Sequence, residues 1–277
     1  MKNYSIIIPH KNSPELLERC LNSIPERKDI EIIVVDDCSD ESRRPQTKRA
    51  DVKVIYLTKE QSKGAGRARN IGLAEAAGKW LLFADCDDYY INNVFDRLDK
   101  FKDTEYDIVF FDYGTNHGSG NTSFSTRLDL MLKGDKRERA NFKYMSNAPW
   151  NKMFSSKFVK QHNIQFEEVP IQNDAYFVHK AASLTDNFHY INEKLYFYEI
   201  NNQGITRRKR KKEDIERSIT TTIKIDKLKS KSGAWDCIYL SSETLNKKKY
   251  GFFFVIKQHL RRIHNGLIWY MIKKKVL

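Results

Sequence analysis

Asp85-Cys86-Asp87-Asp88 follow the apolar run Trp80-Leu81-Leu82-Phe83-Ala84, which places three carboxylates in four positions at the end of a strand-like segment. In water-poor surroundings like charges repel, and a divalent metal, bound basic side chains or protonation must relieve them. Hard oxygen ligands suit Mg2+ or Mn2+, ions that fill their remaining positions with water and a substrate's phosphates. The plainer alternative is a solvated turn, because Asp is a common turn residue. A second acidic pair, Asp36-Asp37, follows the apolar stretch Ile30 to Val35. Between the two lies a basic, glycine-containing segment, Lys63 to Arg69. Gly64 and Gly66 would let backbone approach a phosphate closely, and Arg69 could grip it with two hydrogen bonds. The alternative there is a helix start with exposed basic residues.

The elements that must position these groups can be read from apolar patterning. Tyr4 to Pro9 is a continuous β-rich run, as expected of a strand covered on both faces. Ser13-Pro14 opens a helix whose stripe is Leu16, Leu17, Cys20, Leu21 and Ile24. Further strands are expected at Ile30 to Val35, Val52 to Leu57, Trp80 to Ala84 and Ile108 to Tyr113, with a helix from Ala65 to Ala77 closed by Gly78. Strand–helix alternation with apolar strands predicts an α/β domain with a mostly parallel sheet, in which ligands bind at the strands' carboxyl ends. Both acidic clusters fall at such ends. Residues 115–135 read as a polar loop, after which the order is less regular.

The 277 residues are 40% hydrophobic and 31% charged, an ordinary soluble balance. The net charge of +13 is concentrated: residues 207–277 hold 20 Lys and Arg against 6 Asp and Glu, and the remainder is nearly neutral. Cys20, Cys38, Cys86 and Cys237 have no paired spacing for zinc or a redox dithiol, and the seven histidines show no metal-ligand interval. No secretory h-region or spanning segment is apparent, which gives a cytoplasmic expectation.

Taken together, the segments Ser5 to Asn12, Ile33 to Ser39, Lys63-Gly64 with Ala68 to Gly72, Asp85 to Asp88, Trp150-Asn151-Lys152, Asn173 to Phe177 and Leu195 to Tyr198 resemble the family 2 inverting glycosyltransferases with a GT-A fold. That group builds bacterial capsules and lipopolysaccharide. The resemblance covers residues 4–206. It implies a GT-A domain over 1–206, divided into a nucleotide-binding half (1–114) and an acceptor half (115–206), followed by a basic amphipathic helical extension over 207–277.

The resemblance also implies roles. Asp37, with Asp36, reads the nucleotide base; Asp87, supported by Asp85, holds a Mn2+ or Mg2+ ion against the donor diphosphate; Asp174 is the catalytic base. Pro9, Lys11, Asn12, Lys63, Gly64, Arg69, Asn70 and Cys86 are expected on the donor side. Trp150, Asn151, Lys152 and Asn173 are expected on the acceptor side. The chain departs from the family at Lys11, where an aromatic residue often stands beside the nucleoside, and at Asn173, where an acidic residue usually precedes the base. Read without the resemblance, Asp174 is equally an ordinary helix N-cap.

The implied reaction moves a sugar from a nucleotide-sugar, a UDP-sugar by expectation, to a saccharide or lipid-linked saccharide acceptor. A nucleotidyltransferase acting on a nucleoside triphosphate is the second enzyme reading, although Ile8 to Asn12 lacks a glycine-rich activation loop. A basic membrane- or nucleic-acid-binding adaptor is the non-enzymatic one. In the tail, Arg207 to Lys212 are all cationic, and Phe252, Ile256, Leu260, Ile263, Leu267 and Tyr270 recur at helical spacing with Lys257, Arg261, Arg262 and Lys273 to Lys275 beside them. This pattern suits peripheral contact with an anionic membrane on its cytoplasmic face, or packing on the catalytic domain or on a second subunit. Nucleic acid is the weakest match of the three.

Overall fold

The computed structural model describes residues 2–116, 142–169, 172–200, 212–232 and 234, together with positions 256, 257, 260, 261, 263, 264, 266 and 267. Phe252, Tyr270, Arg262, Lys273 to Lys275, the run 207–211, Cys237 and most of the expected loop 115–135 lie outside the described residues.

Each apolar run becomes a strand, because its alternate side chains are buried on opposite faces of one sheet. The strands are β1 (Tyr4–His10), β2 (Ile30–Asp36), β3 (Val52–Tyr56), β4 (Trp80–Phe83), β5 (Tyr89–Tyr90), β6 (Ile108–Thr115), β7 (Lys152–Ser155) and β8 (Phe188–Tyr198). Their spatial order is β3-β2-β1-β4-β7-β6-β8-β5. The first four pair in parallel, as do β6 and β8. Antiparallel β7 is inserted between β4 and β6, and β5 caps the far edge against β8. The sheet is therefore mostly parallel, as expected.

Helices cover both faces. Ile6 and Ile8 of β1 face α1 (Pro14–Asn22) and α3 (Val94–Leu98), in a core with Leu17, Cys20, Leu21 and Phe95. Ile7, between them, faces the opposite core with Ala68 and Leu73 of α2 (Ala65–Glu75), Phe158 of α4 (Ser156–Gln161) and Phe177 of α5 (Ala175–Leu184). Helix α2 can lie tight on β1 because position 72 is glycine: a Cβ there would meet Ile7 at 2.5 Å. The last long helix, α6 (Lys212–Lys231), packs on α5. Ile219 and Ile223 of α6 bury Leu267, one member of the expected C-terminal stripe, whereas Ile256 and Leu260 are exposed. Among the described residues no helix is long and apolar enough to cross a membrane.

Candidate active site

Strands β2 and β4 end on the same edge of the sheet, and their carboxyl ends deliver the two acidic turns. After β2 the turn is internally satisfied. Asp36 accepts hydrogen bonds from the Ser39 amide (3.0 Å) and the Ser39 hydroxyl. Its other partner is His10 Nδ1 at 2.8 Å, and because His10 Nε2 accepts from the Ser13 amide, the proton sits on Nδ1 and is donated to Asp36. Asp36 and His10 are thus a buried brace. Asp37 accepts from the Gly64 amide at 3.2 Å and pairs with Lys11 Nζ at 3.4 Å. Gly64 has φ +89°, a left-handed conformation that presents its N–H to Asp37. Asn12, also left-handed, ties the end of β1 to the Ser39–Arg43 segment through Ser39, Asp40 and Arg43.

The turn after β4 is electrostatically different. Burial and the Asp85 carboxylate push Asp87 up to about 6. The same causes raise Asp88 to about 9, even though it accepts from the Glu199 amide and the Tyr196 hydroxyl, both at 2.8 Å. Tyr196 in turn receives the Asp85 amide proton at 3.0 Å. Burial and the flanking carboxylates also raise the Cys86 thiol, which leaves it protonated. Arg19 of α1 bonds the Asp87 carbonyl and pairs with Glu199.

A divalent cation fits this donor set. Two adjacent carboxylates, Asp87 and Asp85, carry the repulsion that such an ion relieves, and both are hard oxygen donors. Among the described residues no group of three or more His, Cys, Asp or Glu side chains is placed to hold a metal ion.

Arg69 brings the third acidic element into the site. Its buried guanidinium bridges the Asp85 carboxylate and Asn173 Oδ1 (2.7 Å), and it lies 5.5 Å from the Phe166 ring centre. The expected phosphate grip is therefore partly spent on protein partners, although its buried Nε has no partner among the described residues. Asn173 is held beside Asp85 rather than presented to an acceptor. Asp174 follows at the mouth of α5. It occupies the N-cap position of the helix, as the plain reading expected, although its side chain makes no capping hydrogen bond. Burial raises the Asp174 carboxyl, Arg69 lowers it and Asp85 raises it again, so the three groups share one electrostatic neighbourhood.

The glycine argument changes at Gly66. A Cβ there would strike the Glu167 carbonyl at 2.1 Å, so this glycine serves the approach of the segment leading to Asp174, not the approach of a phosphate. Lys63 and Arg67 pair with Glu168 at 3.6 and 3.1 Å. Asn70 exchanges two hydrogen bonds with the Phe166 backbone and fixes the same segment.

The expected acceptor-side residues are placed behind the site. Trp150 stacks on Tyr196 and Tyr198. Asn151 is fully buried, and Lys152 is 1% exposed with Nζ on the Ala148 carbonyl and Asn151 Oδ1, both at 2.6 Å. Burial pulls the Lys152 ammonium down to about 7, against the attraction of Asp174. An acceptor sugar cannot touch side chains covered in this way; they support the site from beneath. Arg19, Tyr196 and Glu199 make contacts with this turn that the sequence reading did not assign. Only Tyr196, within a recognised motif, left a signal.

With this geometry in view, comparisons with known proteins agree. The sequence model described as "Glycosyl transferase family 2" matches residues 5–162. The poly(ribitol-phosphate) beta-N-acetylglucosaminyltransferase TarS of Staphylococcus aureus is 26% identical over 216 residues, which are 74% of this chain and 36% of TarS. The glycosyltransferase GlyA of Streptococcus pneumoniae is 27% identical over 223 residues, 73% of this chain and 31% of GlyA. The chain thus spans about a third of the length of these relatives. Residues 1–349 of S. aureus TarS in complex with UDP-GlcNAc superpose with a TM-score of 0.66 at 22% identity, covering 82% of this chain and 66% of that one. A Pyrobaculum calidifontis mannosyltransferase in complex with GDP-Man and Mn2+ shares the fold more distantly, with a TM-score of 0.53 at 12% identity. The match over more than half its length, on a fold of mostly parallel α/β type, shows that this chain belongs to glycosyl transferase family 2.

Proposed function

We propose that the chain is an inverting glycosyltransferase that moves a sugar from a UDP-sugar to a hydroxyl of a saccharide or lipid-linked saccharide acceptor in surface polysaccharide synthesis. The observation that carries this reading is the Arg69 bridge, which joins the strained carboxylate turn Asp85–Asp88 to the Asn173-Asp174 pair. A relative named as a poly(ribitol-phosphate) beta-N-acetylglucosaminyltransferase, and the structure of TarS 1–349 in complex with UDP-GlcNAc, support it.

In this reading Asp37, held by the Gly64 amide, receives the base, and Pro9 and Asn12 shape the floor beside it. Asp87, with Asp85 adjacent, would hold a divalent ion, Mn2+ or Mg2+, which when bound would supply positive charge to the leaving diphosphate. Asp174 takes the proton of the acceptor hydroxyl as that oxygen attacks the face opposite the diphosphate, which inverts the anomeric centre. A carboxylate raised by burial suits this task, because a base with a higher pKa accepts the proton more readily. Arg69 restrains the rise by stabilising the charged form. Glu168 neutralises Lys63 and Arg67 in the donor-free protein.

The test is turnover of UDP-GlcNAc and UDP-glucose with Mn2+ in wild type and Asp174→Asn. The variant should bind UDP as wild type does and lose about 10²–10⁴-fold in kcat. Full turnover in a folded Asp174→Asn protein would remove the base from this scheme.

A further inference from the structure

The expected boundary near residue 206 separates a catalytic domain from a basic extension, yet the first helix beyond that point touches both sides of the proposed base. Ser218 Oγ donates to Gln172 Oε1 at 2.7 Å, and Thr222 Oγ1, which donates to the Ser218 carbonyl at 3.0 Å, stands 3.4 Å from the same Gln172 oxygen. One turn further, Lys224 Nζ pairs with Glu167 at 2.7 Å and lies 5.7 Å from the Tyr176 ring centre. Gln172 stands two residues before Asp174, and Tyr176 two residues after it.

Gln172 also has φ +60°, the left-handed region that a side-chain-bearing residue other than Asn or Asp seldom adopts. Such a conformation persists only where the surroundings over-determine it, and it is found at sites where geometry matters to mechanism. Here the surroundings are two hydroxyls of α6. The Asp174 side chain does not cap α5, so the helix start does not by itself fix the carboxylate. Arg69 holds Asn173 from the α2 side, and α6 holds Gln172 from the other.

We propose that α6 is a positioning element for the base: Ser218 and Thr222 clamp Gln172 in its left-handed conformation, with Lys224 steadying Glu167 and Tyr176, and so fix Asp174. This rests on the assignment of Asp174 made above. Ser218 and Thr222 touch no reacting atom, and they act through Gln172.

The test compares wild type with Ser218→Ala/Thr222→Val in the full chain. Readouts are UDP-GlcNAc and UDP-glucose turnover with Mn2+, UDP affinity, and amide hydrogen exchange of the 172–178 peptide. The clamp predicts faster exchange in 172–178, a kcat lowered roughly 10-fold to 10²-fold, and unchanged UDP affinity. Adding Gln172→Asn should restore most of the lost kcat, because Asn enters the left-handed region unaided. Gln172→Ala breaks the same clamp without touching α6 and should reproduce the exchange change if the double variant does not fold. Unchanged exchange, unchanged kcat, or a kcat loss that Gln172→Asn leaves in place overturns the proposal. Wild type with clamp-dependent exchange but no turnover of any nucleotide-sugar overturns the donor reading instead, and leaves the clamp standing.

Discussion

Two acidic turns leave the same edge of one sheet, and they have opposite electrostatic designs. Asp36 and Asp37 after β2 are surrounded by donors: His10, the Ser39 amide and hydroxyl, the Gly64 amide and Lys11. After β4, burial and the Asp85 carboxylate raise both Asp87 and Asp88, while Arg69 pairs with the Asp85 carboxylate and Arg19 meets the turn through the Asp87 carbonyl. In the first turn each carboxylate is met by donors, whereas in the second burial and the neighbouring Asp85 raise Asp87 and Asp88 in spite of their partners. Counting carboxylates in a sequence does not separate these cases. The supply of hydrogen-bond donors does.

Substituting one residue from each turn should give opposite results. Asp87→Asn should lower Mn2+-dependent turnover by at least about 10²-fold, the scale of losing charge stabilisation at a leaving group. In the metal-free protein it should also raise thermal stability, by about 1 kcal/mol, through relief of carboxylate repulsion. Asp36→Ala should do the reverse to stability. It strands the His10 ring N–H and both Ser39 donors in a buried site, and should cost about 3–6 kcal/mol by thermal or urea unfolding. If the two variants shift stability in the same direction, the contrast between the turns fails.

Lys152 provides a third buried charge, satisfied in hydrogen bonds but not in solvation. Its value falls from 10.5 to about 7 on folding. Below pH 7 both folded and unfolded forms carry the proton, and the burial penalty is fully present. Between pH 7 and 10.5 the unfolded chain binds more protons, so stability should rise with pH by a few kcal/mol. Lys152→Met should flatten that rise, as read by urea unfolding across the window. The smallest effect is expected at Lys11, whose exposed ammonium pairs loosely with Asp37: Lys11→Ala should change unfolding stability by less than about 1 kcal/mol.

The strands of the first half were legible because their apolar runs are continuous; the helix expected over Ala65 to Ala77 ends at Glu75 with Ala76 as its cap, and Gly78 instead serves the close approach of Ser5. Strand β7 was hidden: four residues, Lys152 to Ser155, begin with a lysine that no hydrophobic pattern would bury. Strand β8 was not read as a strand, since Asn192-Glu193-Lys194 interrupt it with an exposed stretch; its last four residues entered only as a segment of the resemblance. The two acidic turns lie at the carboxyl ends of the parallel strands that flank β1, as the apolar runs before them imply. Their division of labour was not legible, because whether Asp36 is a brace or a ligand contact depends on the ring of His10, 26 positions away. Likewise, Trp150-Asn151-Lys152 reads as a polar motif until packing shows that it is roofed over.

The Tyr196 hydroxyl, which links the Asp85 amide to the Asp88 carboxylate, has a consequence for synthesis. Asp88 waits 108 residues for Tyr196 and 111 for the Glu199 amide. As the chain leaves the ribosome, β1 to β4 can pair early, but the carboxylate turn after β4 stays unfinished until β8 has docked. A nascent chain halted at residue 114 therefore has the first four strands without the partners that complete this turn. The turn closes late, together with the second half of the sheet.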